Sequence, residues 1–82
     1  MCYERMDLVD HNEALRLIDD CERRGVRILG IEFFAGTKES FTPVGDTNWE
    51  GIARAESWHE ARELLSGGIP NGGNLVEFVL DE

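Results

Sequence analysis

At 82 residues the chain reads as a single domain, residues 1–82, of a size that buries only about 60–65% of the surface its unfolded form exposes. Seventeen acidic against eight basic residues leave a formal charge of −9, a field that repels phosphate backbones and anionic headgroups and so argues against nucleic-acid and membrane partners. There is no apolar run of about 18 residues to span a bilayer and no basic or apolar region of a signal peptide in Met1–Asp7, so a soluble cytoplasmic protein with reduced thiols is expected.

Residues 1–9 mix polar and apolar positions, with Tyr3, Met6, Leu8 and Val9 as anchors for either an arm or a short edge strand. Asp10 followed by Glu13 is a D-x-x-E helix start, and Ala14, Leu17, Ile18 and Cys21 then recur at i, i+3, i+4 and i+7, the spacing of one apolar helix face. Asp19 with Arg23 and Asp20 with Arg24 are acid-before-base pairs four residues apart. Gly25 supplies the left-handed cap, and Cys21 on the apolar face reads as a small buried hydrophobe.

Val26–Phe34 is the longest apolar run and the expected central strand. Strict alternation would place Glu32 on the same face as Val26, Ile28 and Phe34. A β-bulge near Leu29-Gly30 changes that parity, gathering Val26, Ile28, Ile31 and Phe33 on one face and Arg27, Glu32 and Phe34 on the other. With the bulge Glu32 leaves the core; without it Glu32 is a buried acid, which is a pointer to chemistry.

Ala35–Glu39 is a polar, glycine-containing connection, and Ser40–Val44 is a second strand kept short and at an edge by Pro43. Residues 45–56 lose all periodicity and read as a loop carrying one large apolar residue, Trp49, beside Asp46 and Glu50. Ser57-Trp58-His59-Glu60 is an S-x-x-E start for a second helix, with Trp58, Ala61, Leu64 and Leu65 on one face and Gly67-Gly68 as its stop. After a turn at 69–73, Leu75–Leu80 reads as the last strand. The expected fold is α+β, a small mixed sheet of three strands, or four if residues 1–9 join it, with two helices on one face in the order α-β-β-α-β. The opposite face then carries Arg27, Glu32, Phe34, Leu75, Glu77 and Val79, too apolar to be left without cover or contact.

Catalytic patterns are missing from the sequence. His11 and His59 have no adjacent nucleophile pattern, and the His-Glu of the second helix lacks the second histidine of H-E-x-x-H. Cys2, His11, Cys21 and His59 have no zinc-finger spacing, Asp46-Thr47-Asn48 lacks the remaining positions of a calcium loop, and the glycine pairs follow a helix instead of opening one. No metal or cofactor is therefore expected.

The Ile-Leu-Gly-Ile-Glu-Phe-Phe block at 28–34, the Trp-x-x-Ala-x-x-x-Leu stretch of the second helix (58–65) and the Val-Glu-Phe-Val-Leu strand at 76–80 resemble the small acidic immunity proteins of bacterial polymorphic toxin systems. That resemblance implies a protein without catalysis that offers an acidic surface to a cationic toxin. From the residues themselves, the expectation is a protein-binding face made of Glu32, Phe34, Asp46, Trp49, Glu50 and Glu77, meeting a basic protein partner. The alternatives are a homodimer formed through the apolar face, and a small ligand-binding or enzymatic domain using Glu32 or Asp46.

Overall fold

The computed structural model describes residues 3–5, through their backbone, and residues 8–81. Its elements are strand β1 (Tyr3–Arg5), helix α1 (His11–Arg24), strands β2 (Arg27–Gly36) and β3 (Phe41–Asp46), helix α2 (Arg54–Leu65), a single 3-10 turn (Pro70–Gly72) and strand β4 (Leu75–Asp81). The sheet order is β1-β4-β2-β3, and every neighbouring pair is antiparallel. The fold is thus the expected α+β arrangement with β2 in the middle. The mixed sheet is corrected in one respect: β3 and β4 do run parallel, but β2 lies between them, so no parallel ladder forms. Residues 3–5 settle the choice at the N-terminus by pairing with Val79–Asp81 as an edge strand, followed by a two-way backbone bridge between Val9 and Val76. Of the expected anchors Leu8 and Val9 are half-buried, whereas Met6, the side chain of Tyr3 and Cys2 lie outside the described residues.

Helix α1 forms where its local signals place it. The Asp10 carboxylate accepts the Glu13 amide at 2.9 Å, and Gly25, at φ 73°, returns its N–H to the Cys21 and Glu22 carbonyls, the left-handed cap that residues with a side chain adopt at a cost. Ala14, Ile18 and Cys21 face the sheet, fully or almost fully buried. Burial pushes the Cys21 thiol up to about 11, against a small opposing pull from Arg24. The charge pairs are partly rearranged. Asp20 holds both Arg23 and Arg24, and the Arg24 hydrogen bond is the main cause that lowers its carboxyl below 3.8. Asp19 turns away from Arg23 to reach Arg62 of α2 at 2.8 Å, which also binds Glu22. The resulting clamp between the helices raises the Arg62 pKa, chiefly through the Asp19 hydrogen bond.

Helix α2 starts earlier than the S-x-x-E pattern predicts. Its N-cap is Ala53, without any side-chain hydrogen bond, and Ser57 lies inside the helix, fully buried. The hydroxyl is committed elsewhere: it donates to the Arg54 carbonyl at 2.6 Å and accepts the Ile28 N–H at 3.2 Å. Trp58 also ties the helix to the strand, its indole N–H donating to the Val26 carbonyl at 2.8 Å. A buried backbone donor left without a partner costs more than a helix cap contributes, so the tertiary bond takes the serine. Together α1, α2 and one sheet face enclose a core centred on Ile18, Ile28, Ile31, Phe33, Leu65, Val76, Phe78 and Leu80.

Candidate functional site: the open sheet face

The face away from the helices owes its composition to β2. Opposite β4, Ile28 pairs with Leu80 and Gly30 with Val79, so Leu29 is the extra residue of a bulge. This is the expected parity change: Val26, Ile28, Ile31 and Phe33 enter the core, and Glu32 stands half-buried on the other face. The premise of a core-buried Glu32 is thereby removed. A second bulge, between Phe33 and Phe34 in the pairing with β3, lets Phe33 oppose Gly45 and Phe34 oppose Pro43.

The predicted loop contributes more strand than expected, since β3 continues through Gly45 and Asp46. Past Asp46 the chain stays beside β2: Thr47 N–H donates to the Ile31 carbonyl at 2.9 Å and Trp49 N–H to the Leu29 carbonyl at 2.7 Å, while the Thr47 hydroxyl accepts the Ile31 N–H at 3.0 Å. Such proximity requires residue 30 to lack a side chain, because a Cβ there would stand 2.5 Å from the Thr47 carbonyl oxygen. Residues 47–49 therefore extend the sheet edge, with the Thr47 carbonyl lying against Gly30.

Cross-strand pairing now aligns the acids. Glu32 is directly opposite Asp46 on one side and Glu77 on the other, a row of three carboxylates over three strands, with facing Cβ atoms about 5 Å apart in such ladders. Glu32 and Glu77 each engage in further hydrogen-bonding or electrostatic contacts. Beside the row lies an open groove of about 450 Å³, its apolar wall made by Leu29 and Val79 and its polar wall by Glu32, Asp46, Thr47 and Glu50.

On one flank of the row, Phe34 faces Leu75 and Pro43, and the Phe41 ring meets Phe34 edge to face at a centroid distance of 5.1 Å. Phe41 is 44% exposed, the one large exposed hydrophobic among the described residues. On the other flank Arg27 and Asp81 pair across the strands at 2.9 Å. The open face therefore runs from an apolar patch through an acidic row to an ion-paired end.

Four of the six expected binding residues, Glu32, Asp46, Glu50 and Glu77, come together here, with Phe34 adjoining them. Trp49 does not join: it packs against the hydrophobic core. Phe41, Leu29 and Val79 were not among the six. Phe41 sits two residues before Pro43 in an edge strand, a parity that places both on one face, and Leu29, the extra residue of the expected bulge, is buried but lines the groove. Among the described residues no group of three His, Cys, Asp or Glu side chains is placed to hold a metal ion, and no helix is long and apolar enough to cross a membrane. Neither a protein-family model, nor a curated protein, nor a solved structure matches this chain.

Proposed function

We propose that this chain is a small, non-enzymatic protein-binding module whose open sheet face receives a basic segment of another protein, a role consistent with a toxin-neutralising immunity protein. The observation that carries this reading is the row Asp46–Glu32–Glu77 set between a groove with one apolar and one acidic wall and the exposed Phe41. Like charges directly opposite each other weaken a sheet, and a cationic segment laid along the row would add to the contacts that Glu32 and Glu77 already make within the chain. An arginine or lysine side chain suits the groove, its aliphatic stem along Leu29 and Val79 and its charge among the carboxylates. Complementary charge raises the rate of encounter, and burial of the exposed Phe41 ring slows dissociation.

The test uses a blocked pentapeptide with a central arginine, followed by NMR, and then the product of the neighbouring gene as the full-length partner. Saturable shifts concentrated at Glu32, Asp46, Glu50 and Val79 are expected. With the protein partner, Asp46→Lys and Glu50→Lys should slow association in a salt-dependent way, and Phe41→Ala should speed dissociation. Binding indifferent to all three substitutions overturns the reading. A concentration-dependent dimer by light scattering, abolished by Phe41→Ser, would instead make a second copy of the chain the occupant of the apolar patch.

A further inference from the structure

Asn12, Asn48, Asn71 and Asn74 are followed by Glu13, Trp49, Gly72 and Leu75, so Asn71 alone precedes a glycine. That neighbour matters chemically. The backbone nitrogen after an asparagine can attack the side-chain amide carbon, and a glycine there, having no Cβ, leaves the nitrogen uncrowded and the chain free to bend toward it. We propose that Asn71 is a self-modification site that the native fold holds unreactive, so that a chain opening at the Pro70–Gly72 turn loses the side-chain amide and cannot re-form the contact it made. The inference does not depend on what the open sheet face binds.

In the step itself the Gly72 nitrogen forms a bond to Asn71 Cγ and expels the side-chain nitrogen, which takes up the proton that Gly72 gives and leaves as ammonia. Water then opens the five-membered imide at either carbonyl, leaving a carboxylate at position 71 in the normal or the isomerised linkage. Nothing is oxidised or reduced, and water is the one co-reactant.

Both residues are exposed, yet the fold opposes this step twice. Asn71 is the one non-glycine residue at positive φ among the described residues, with φ 60° and ψ 26°. At this ψ the Gly72 nitrogen lies across the Cα–C bond from Cβ, whereas ring closure needs the two nearly eclipsed, so the backbone must first leave the left-handed well. The side chain is tied as well. Asn71 Nδ2 donates to the Val44 carbonyl of β3 at 3.0 Å, a contact that has room because a Cβ on residue 45 would stand 2.6 Å from Nδ2.

After conversion that tie does not return. An ionised carboxylate has no hydrogen to donate, and it would set a negative charge against the Val44 carbonyl oxygen in a chain already at −9. The neighbouring tie to β2 is different: the Asn74 side chain accepts the Gly36 N–H and donates to the Gly36 carbonyl. Asn74 precedes the buried Leu75, whose side chain crowds the attacking nitrogen, so the loss is confined to the β3 side of the turn.

Peptide mass spectrometry of the 82-residue chain, incubated at pH 8 either folded or in urea, provides the test. In urea position 71 should gain about one mass unit at least about tenfold faster than Asn12, Asn48 or Asn74, and Gly72→Ala should slow that gain. In the folded chain the rate at position 71 should drop at least about tenfold, because reaction then tracks the population of the opened turn. Gly45→Ala displaces the Asn71 amide and should raise the folded-state rate about fivefold, the factor carried by one hydrogen bond, with urea unfolding used to verify that the variant is folded. Asn71→Asp, which imitates the product, should lower the urea midpoint of the chain. Equal rates at position 71 in the folded and unfolded chain, no acceleration in a folded Gly45→Ala, or an unchanged midpoint in Asn71→Asp would overturn the proposal.

Discussion

Gly30→Ala tests the junction on which both the bulge and the groove depend. The added Cβ would meet the Thr47 carbonyl oxygen at 2.5 Å and its carbon at 3.5 Å, and the obstacle is backbone, so segment 47–49 must move. The cost is either overpacking strain of about 1–3 kcal/mol or the loss of two edge hydrogen bonds, Thr47 to Ile31 and Trp49 to Leu29, at about 1 kcal/mol each. Replacing glycine also stiffens the unfolded chain, which returns about 0.4–1 kcal/mol. The net expectation is a destabilisation of about 1–2 kcal/mol. With a urea slope of about 1 kcal/mol/M for a domain of this size, the midpoint should fall by about 1–2 M, and the Thr47 and Trp49 amides should lose protection from hydrogen exchange. An unchanged or higher midpoint with both amides still protected would refute the argument that residue 30 is glycine because of this approach.

Ser57→Ala removes the acceptor of the buried Ile28 N–H and should cost about 1–3 kcal/mol in urea unfolding; a neutral effect would show that the amide finds another partner. Cys21, its thiol raised from 9.0 to about 11 by burial, should resist thiol reagents at pH 8 until urea unfolds the chain. Because the raised value favours the neutral thiol, its contribution to stability is complete below pH 9 and is lost as pH climbs through about 11, a loss that Cys21→Ala should not show. Asp20 behaves oppositely: its carboxyl is lowered from 3.8 by the Arg24 hydrogen bond, so its contribution is present above pH 3.8 and disappears as pH falls below that value. An NMR titration of Asp20 in Arg24→Gln should move back up toward 3.8. Arg62→Ala breaks the inter-helix clamp with Asp19 and Glu22, but at a partly exposed site the loss should be about 0.5 kcal/mol or less and should shrink further in high salt.

How much of the candidate site could be read before folding depended on the range of the forces involved. Glu32, Glu77 and Phe34 were recognisable because a period of two sorts a strand by face, Asp46 and Glu50 only as acids of a loop without periodicity, and the conflict that the period creates at Glu32 pointed to the bulge at Leu29-Gly30. That Glu32 would face both Asp46 and Glu77 could not be read, since pairing register joins residues 14 and 45 positions away.

What the sequence by itself determined is local: the cap of α1 at Asp10, its stop at Gly25, the buried face of Ala14, Ile18 and Cys21, and β2 as the longest apolar run. Neighbouring residues specify these features, and the capping and periodicity energies need no distant partner. The tertiary structure decided where local preference met a stronger distant claim. Ser57 abandoned a cap to satisfy Ile28, Asp19 left Arg23 for Arg62, and residues 3–5 became a strand because β4 offered them an unpaired edge. In each case a group's partner is chosen by the assembled fold, since a buried donor, a facing helix or a strand edge exists only after distant segments have met.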